Sequence, residues 1–123
     1  MIAIDTSSWI AFLSGARGPD LGLVERALAD RQACLPPVVL SELLSDPELP
    51  RRVQALFLEL PLLPVLDGYW ERAGRLRARV LASRRRTRLA DTLIAQSCLD
   101  HGVALVSRDA DFRCFLREGL ELI

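Results

Sequence analysis

The chain has 123 residues, of which 50% are hydrophobic and 26% are charged, and its formal net charge is zero. This length and composition are typical of one globular domain, so we expect a single domain over residues 1–123. No apolar run reaches the roughly 18 residues of a membrane span, and no basic segment precedes a long apolar one, which indicates a cytoplasmic protein. The three cysteines lack C-x-x-C spacing and there is one histidine, which argues against a zinc site.

Predicted strands and helices alternate along the chain. In order, they are a strand at Ile2–Ile4, helices at Ser8–Ser14 and Asp20–Arg31, a strand at Ala33–Leu35, helices at Val38–Leu44 and Arg51–Leu60, an edge or irregular strand at Pro61–Leu66, helices at Tyr69–Ser83 and Leu89–Asp100, a strand at Val103–Val106 and a last strand at Leu120–Ile123. The long helix that begins at Tyr69 carries Ala73, Leu76 and Val80 at helical spacing. This alternation predicts an α/β domain with a mostly parallel sheet.

The positive charge is unevenly distributed. All sixteen basic residues are arginines, and eight of them lie between Arg72 and Arg88, a stretch that contains no acid. The planar arginine fork suits phosphate, and a cluster of arginines creates a local positive field even on a neutral protein. A solvated helix face is the alternative interpretation, and the sequence leaves both open.

Five acids fall where a parallel sheet places its ligands. Asp5 follows the first strand, and Asp109 and Asp111 follow the strand at Val103–Val106. Ligands of open parallel sheets bind beyond the carboxyl ends of the strands. Glu42 and Asp91 lie at or near helix starts that such a sheet can present on the same side.

Each of these acids also has a purely structural interpretation. Asp5 is a candidate helix cap, and Glu42 suits an exposed helix face. Asp91 in a first helical turn gains from the helix dipole, and Asp109 and Asp111 are ordinary turn residues. Taken one at a time, none of the five indicates a site.

Together the acids predict a metal centre. Carboxylates that converge at one sheet edge repel one another by about 4 kcal/mol per close pair at an effective dielectric constant of 20, so a cation is needed there. Oxygen ligands without histidine or cysteine select a hard ion, Mg²⁺ or Mn²⁺. Such an ion activates water and stabilises in-line attack on a phosphate.

Four motifs in order resemble the PIN-domain family, and most closely its VapC-like ribonuclease toxins of toxin–antitoxin operons. They are IDTS at 4–7 with WI at 9–10, LSEL at 40–43, LADTLIA at 89–95 and LVSRDADF at 105–112. The set spans nearly the whole chain. The fold that it implies is a three-layer α/β/α domain with a central, mostly parallel sheet of about four to five strands.

The resemblance also implies an activity and its residues. The chain would be a Mg²⁺- or Mn²⁺-dependent endoribonuclease that cuts transfer, ribosomal or messenger RNA. The family's four acids carry over to Asp5, Glu42, Asp91 and Asp109, with Asp111 as an alternative fourth acid or a supporting residue. Thr6 and Ser107 match the family's hydroxyl positions, although the family more often has threonine where Ser107 stands. On this reading Arg84, Arg85, Arg86 and Arg88 become candidates for binding RNA phosphates or an acidic partner.

Two kinds of partner follow from the same resemblance. One is a small VapB-like antitoxin whose tail occupies the active-site groove, and the other is a second copy of the chain in a homodimer. Trp9, Phe12 and Leu13 are candidates for lining the groove, with core packing the expected role of Trp9.

Other functional classes fit the residues less well. A phosphohydrolase that uses Asp5 as its nucleophile would resemble the haloacid dehalogenases, but their second aspartate is replaced here by Ser7. A P-loop enzyme is excluded because the chain contains neither the loop nor any lysine. A non-catalytic PIN-like module that binds RNA or protein remains as the alternative.

Overall fold

Three short parallel strands form the sheet. In the computed structural model, which describes residues 1–123, they are β1 (Ile2–Ile4), β2 (Ala33–Cys34) and β3 (Ala104–Val106). The order is β2-β1-β3, and Ile2 of β1 is aligned with Ala33 on one side and Ala104 on the other. The first strand in sequence is therefore the central one.

Both faces of the sheet are covered. Ala3 and Ile4 are consecutive residues of β1, and both are 0% exposed, as are Leu105 and Val106 of β3. Consecutive strand residues point to opposite faces, so helices must pack on each side. The expected three-layer α/β/α arrangement with a parallel sheet is confirmed.

Six α-helices and a 3₁₀ helix surround the sheet. They are α1 (Thr6–Leu13), α2 (Pro19–Ala29), α3 (Pro37–Leu44), α4 (Arg51–Glu59), α5 (Tyr69–Ala82), α6 (Leu89–His101) and the C-terminal 3₁₀ helix (Ala110–Glu118). Prolines at the starts of α2 and α3 suit the first helical turn, where no backbone N–H is needed. Gly102 ends α6 in the left-handed conformation, with φ of 59°. None of the helices is both long and apolar enough to cross a bilayer.

The sheet is smaller than expected. It has three strands instead of four to five, because the segments predicted as further strands each contribute only one bridging residue, Leu62 beside Leu35 and Leu122 beside Leu105. Pro61 and Pro64 flank the first of these bridges and have no N–H to extend it. The irregular alternative therefore holds for Pro61–Leu66, whereas the prediction of a last strand at Leu120–Ile123 and of four to five strands in all was wrong.

The C-terminal 3₁₀ helix was not predicted. Phe112 and Phe115 are both fully buried and lie three residues apart, which matches the three residues per turn of this helix. That spacing was the available signal in the sequence. The 3₁₀ helix begins immediately after Asp109, so it also fixes the direction of the chain beyond β3.

We predict that replacing Ile4 by alanine lowers the free energy of unfolding by about 2–5 kcal/mol, because it leaves a cavity beside the central strand. Ile10 on α1 is 58% exposed, so Ile10→Ala should change stability by less than about 0.5 kcal/mol. Urea unfolding followed by circular dichroism measures both. Equal losses in the two variants would contradict the central position of β1.

Candidate metal centre

Asp5 joins the end of β1 to the start of α1. Its backbone N–H donates to the carbonyl of Val106 at 2.9 Å, so the chain is still paired with β3 at this point. The residue is only 4% exposed, and its carboxylate accepts hydrogen bonds from Ser7 Oγ at 2.7 Å and Ser107 Oγ at 2.9 Å. It also caps α1 by accepting from the backbone N–H of Ser7 at 3.3 Å. The capping interpretation of Asp5 is thus met by the same carboxylate that lies at the sheet edge.

Ser107 connects Asp5 to the acids that follow β3. The Ser107 hydroxyl donates to Asp5 and accepts from the backbone N–H of Asp109 at 3.0 Å. Asp109 in turn accepts from the backbone N–H of Asp111 at 2.9 Å and caps the C-terminal 3₁₀ helix. Three hydrogen bonds in succession therefore fix the loop after β3 relative to β1.

A tight group of carboxylates forms between this loop and α6. Asp91 in the first turn of α6 lies beside Asp109 and Asp111, and each contributes one oxygen within 4.8 Å of the others. Asp91 and Asp109 are half-buried, while Asp111 is exposed. Both candidates for the fourth acid therefore stand next to Asp91.

Glu42 approaches from α3. It is exposed, lies outside the tight group, and accepts a hydrogen bond from Thr6 Oγ1 at 2.8 Å. Thr6 is the first residue of α1, so this bond connects Glu42 to the segment that begins at Asp5. Of the two hydroxyl residues singled out in the sequence, Thr6 thus contacts one of the predicted acids and Ser107 contacts two.

The effect of the clustered acids is visible in the pKa of Asp91. Burial, together with the negative charges of Asp5, Asp109 and Glu42, raises the pKa of Asp91 to about 6. The positive charge of Arg88 opposes it. The site therefore carries more negative charge than its neighbours compensate, and its ligands are oxygens only. This donor set fits Mg²⁺ or Mn²⁺.

The four arginines ahead of α6 are exposed. Arg84, Arg85, Arg86 and Arg88 lie between α5 and α6, and their side chains donate no hydrogen bond or salt bridge within the chain. Arg88 directly precedes α6 and is the one whose charge acts on Asp91. These side chains are free to meet an external anion.

Ser7 is a site residue to which the sequence analysis gave no role. Its hydroxyl makes the shortest hydrogen bond to Asp5, at 2.7 Å. The signal was the Asp-Thr-Ser order, because an aspartate commonly bonds to the residue two positions later.

An apolar groove adjoins Glu42. It has a volume of about 640 Å³ between α1, α3 and α4, and Ile10, Leu13, Leu43 and Val53 supply much of its wall. Leu13 is the one predicted groove residue that lines it. Trp9 is fully buried and packs edge-on against Phe57 at 5.1 Å between ring centroids, as expected for a core residue.

Comparison with known proteins agrees with this architecture. The PIN domain family matches residues 2–115. Ribonuclease VapC11 of Mycobacterium tuberculosis is 33% identical over 126 residues, which cover 95% of this chain and 92% of that protein.

Two solved structures share the fold. A DNA-bound VapBC complex from Salmonella typhimurium aligns with a TM-score of 0.75 and 20% identity, covering all of this chain and 98% of the other. VapBC2 from Rickettsia felis, bound to a DNA fragment from its promoter, gives a TM-score of 0.73 and 21% identity with the same coverage. The acids in their sequence order, the three-layer α/β/α fold and these similarities lead to one conclusion. The chain belongs to the PIN-domain family and is a relative of the VapC ribonucleases.

Proposed function

We propose that this protein is a metal-dependent endoribonuclease that acts as the toxin of a VapBC-type toxin–antitoxin pair. The observation that carries the proposal is the group of Asp91, Asp109 and Asp111, with Asp5 and Glu42 around it, in a relative of VapC ribonucleases. Uncompensated carboxylates at the carboxyl end of a parallel sheet suit a divalent cation and a phosphodiester substrate.

The ion, Mg²⁺ or Mn²⁺, would be held by Asp5, Asp91, Asp109 and Glu42, with Asp111 as the alternative fourth acid. The bound ion supplies a water of lowered pKa and positive charge for the reacting phosphate. The chain's own hydroxyls set the positions of these acids. Ser7 and Ser107 orient Asp5, Ser107 also orients Asp109, and Thr6 orients Glu42.

The RNA backbone would meet the exposed arginines. In sequence Arg88 lies between Asp91 and Arg84, Arg85 and Arg86, and its charge acts on Asp91, so an RNA strand bound over Asp91 would meet this exposed arginine segment. Phosphate contacts of this kind give affinity without sequence preference. We propose transfer or ribosomal RNA as the substrate, because exposed loops are the parts of structured RNA that proteins can read.

A VapB-like antitoxin is the proposed inhibitor, and the protein is proposed to be a homodimer. Solved relatives of the same fold are VapBC complexes. The apolar groove beside Glu42 is a suitable seat for an antitoxin segment, because an occupant there would reach the acids.

We predict metal-dependent cleavage of RNA. Purified protein, free of antitoxin, should cut total cellular RNA into discrete fragments with Mg²⁺ or Mn²⁺ and leave it intact with EDTA. Asp91→Asn should lower the rate by at least about 100-fold, because it removes a metal ligand, whereas Asp30→Asn on the exposed end of α2 should leave it unchanged. Intact RNA in every lane, with folded protein, would favour a non-catalytic binding module.

Loss of the Ser107 hydroxyl should weaken the reaction while leaving the fold in place. Ser107→Ala removes the bonds to both Asp5 and Asp109, so we expect roughly 10- to 100-fold slower cleavage. Ser107→Thr keeps the hydroxyl and should stay near the wild-type rate. The rate constants come from single-turnover assays on one RNA fragment. A Thr variant as slow as the Ala variant would show that the hydroxyl is not the active feature.

The acidic site should also make metal-free stability depend on pH. The pKa of Asp91 rises from 3.8 to about 6 on folding, so ionising this group opposes folding. In EDTA, wild type should therefore lose stability relative to Asp91→Asn as pH rises from about 4 to 7, and the difference should disappear below pH 4. Adding Mn²⁺ at pH 7 should raise the melting temperature of wild type more than that of the variant. A pH-independent difference in melting temperature would contradict this account.

A further inference from the structure

A second carboxylate, Asp20, lies outside the metal centre and is paired with an arginine, Arg108. Asp20 is in the first turn of α2 and is 7% exposed. Arg108 Nε donates to Asp20 Oδ2 at 2.9 Å, and Arg108 Nη2 donates to Asp20 Oδ1 at 2.9 Å, which is the bidentate geometry of a strong ion pair. Arg108 Nη2 also donates to the carbonyl of Arg17 at 3.0 Å.

Asp20 is connected to α1 as well. Ser8 Oγ donates to Asp20 Oδ2 at 2.8 Å. Ser8 follows Ser7, which donates to Asp5, and Arg108 follows Ser107, which also donates to Asp5.

Ser7 and Ser107 therefore bind Asp5, while the residues that follow them, Ser8 and Arg108, bind Asp20. One carboxylate, Asp5, belongs to the acidic site. The other, Asp20, is set back from it between α1, α2 and the loop after β3.

We propose that Arg108 is a positioning residue for the metal centre. This inference rests on the proposed function. By pairing with Asp20, Arg108 holds the loop that carries Ser107 and Asp109 against the start of α1. The distance between Asp5 and Asp109 is then set by this ion pair in addition to the Ser107 hydroxyl and the backbone hydrogen bond from Asp5 to Val106.

Gly18 independently indicates how closely this pair is packed. Its φ is 154°, and a side-chain carbon at this position would lie 2.6 Å from Asp20 Oδ1 and 2.7 Å from Arg108 Nη2. Any residue with a side chain here would require the Asp20 carboxylate or the Arg108 guanidinium to shift. Glycine is therefore the residue that accommodates the ion pair in its present position.

Charge separates this pair from the metal ligands. The Arg108 guanidinium lowers the pKa of Asp20, whereas burial and neighbouring acids raise the pKa of Asp91. The negative charge of Asp20 is thus already balanced by Arg108, so this carboxylate does not need a metal ion. Its role is mechanical, and Arg108 acts on the ion only through Ser107 and Asp109.

The chain offers a matched control in Arg72 and Asp100. This pair is also bidentate, at 2.9 and 2.6 Å, and the Asp100 side chain is 8% exposed, as is that of Asp20. Gln96 donates to Asp100 as Ser8 donates to Asp20, and Arg72 also bonds a backbone carbonyl. Asp100 lies nine residues after Asp91 on α6, roughly 13 Å along the helix axis, so this pair does not touch the site.

The test compares Arg108→Ala with Arg72→Ala by Mn²⁺ affinity without RNA, by melting temperature in EDTA and by single-turnover RNA cleavage. Both variants should melt earlier than wild type, because each leaves a buried aspartate without its partner. Arg108→Ala should bind Mn²⁺ roughly 10- to 100-fold more weakly, and Arg72→Ala within about twofold of wild type. Arg108→Lys retains the charge and should recover part of the affinity.

The possible failures are distinguishable. Equal Mn²⁺ affinity and cleavage in wild type and Arg108→Ala would overturn the positioning role and leave the proposed function standing. Wild type that neither binds Mn²⁺ nor cleaves RNA would overturn both.

If Arg108→Ala does not fold, Gly18→Ala decides the matter, because it displaces the ion pair without removing either charge. Its control is Gly15→Ala, at a positive φ of 71° with open space around it. Weaker Mn²⁺ binding in Gly18→Ala alone would support the inference, and equal binding in the two glycine variants would overturn it.

Discussion

Repulsion among carboxylates at the carboxyl end of the sheet is the constraint around which this protein is arranged. Parallel strands direct the residues that follow them to a common edge, and here those residues are acids. The fold holds them there with uncharged hydrogen-bond partners. Hydroxyls of Ser7, Ser107 and Thr6 fix Asp5, Asp109 and Glu42 without cancelling their charge. The cost appears at Asp91, where burial, together with the negative charges of Asp5, Asp109 and Glu42, raises the pKa to about 6.

Three buried or half-buried aspartates illustrate how partners decide the chemistry of one side chain. Asp20 and Asp100 each face a bidentate arginine, and both have a lowered pKa. Asp91 faces other acids, and burial together with their negative charges raises its pKa. The first two carboxylates stay ionised and join segments of the chain. The third is left with unmet attraction for a cation, which is the property a metal ligand requires.

The core provides the rigidity that such a site needs. Trp9, Phe57, Phe112 and Phe115 are fully buried, and two of them, Trp9 and Phe112, lie close in sequence to site residues. Trp9 follows the segment Asp5–Ser8 and anchors α1 in the core. Phe112 follows Asp111 and anchors the C-terminal 3₁₀ helix. Packing on both sides of the acids therefore resists the local movement that repulsion would otherwise drive.

Local sequence patterns determined most of the elements and the identity of the acids. Hydrophobic periodicity, prolines and glycines located the three strands and all six α-helices, because these signals act within a few residues. Strand ends indicated Asp5, Asp109 and Asp111, helix starts indicated Glu42 and Asp91, and the ordered motifs contain all five. The tertiary structure alone decided what depends on distant segments. Whether Leu62 and Leu122 form strands depends on their neighbours across the sheet. The pairing of Arg108 with Asp20 joins residues 88 positions apart, and no local pattern in the sequence distinguishes these two from the other charged residues.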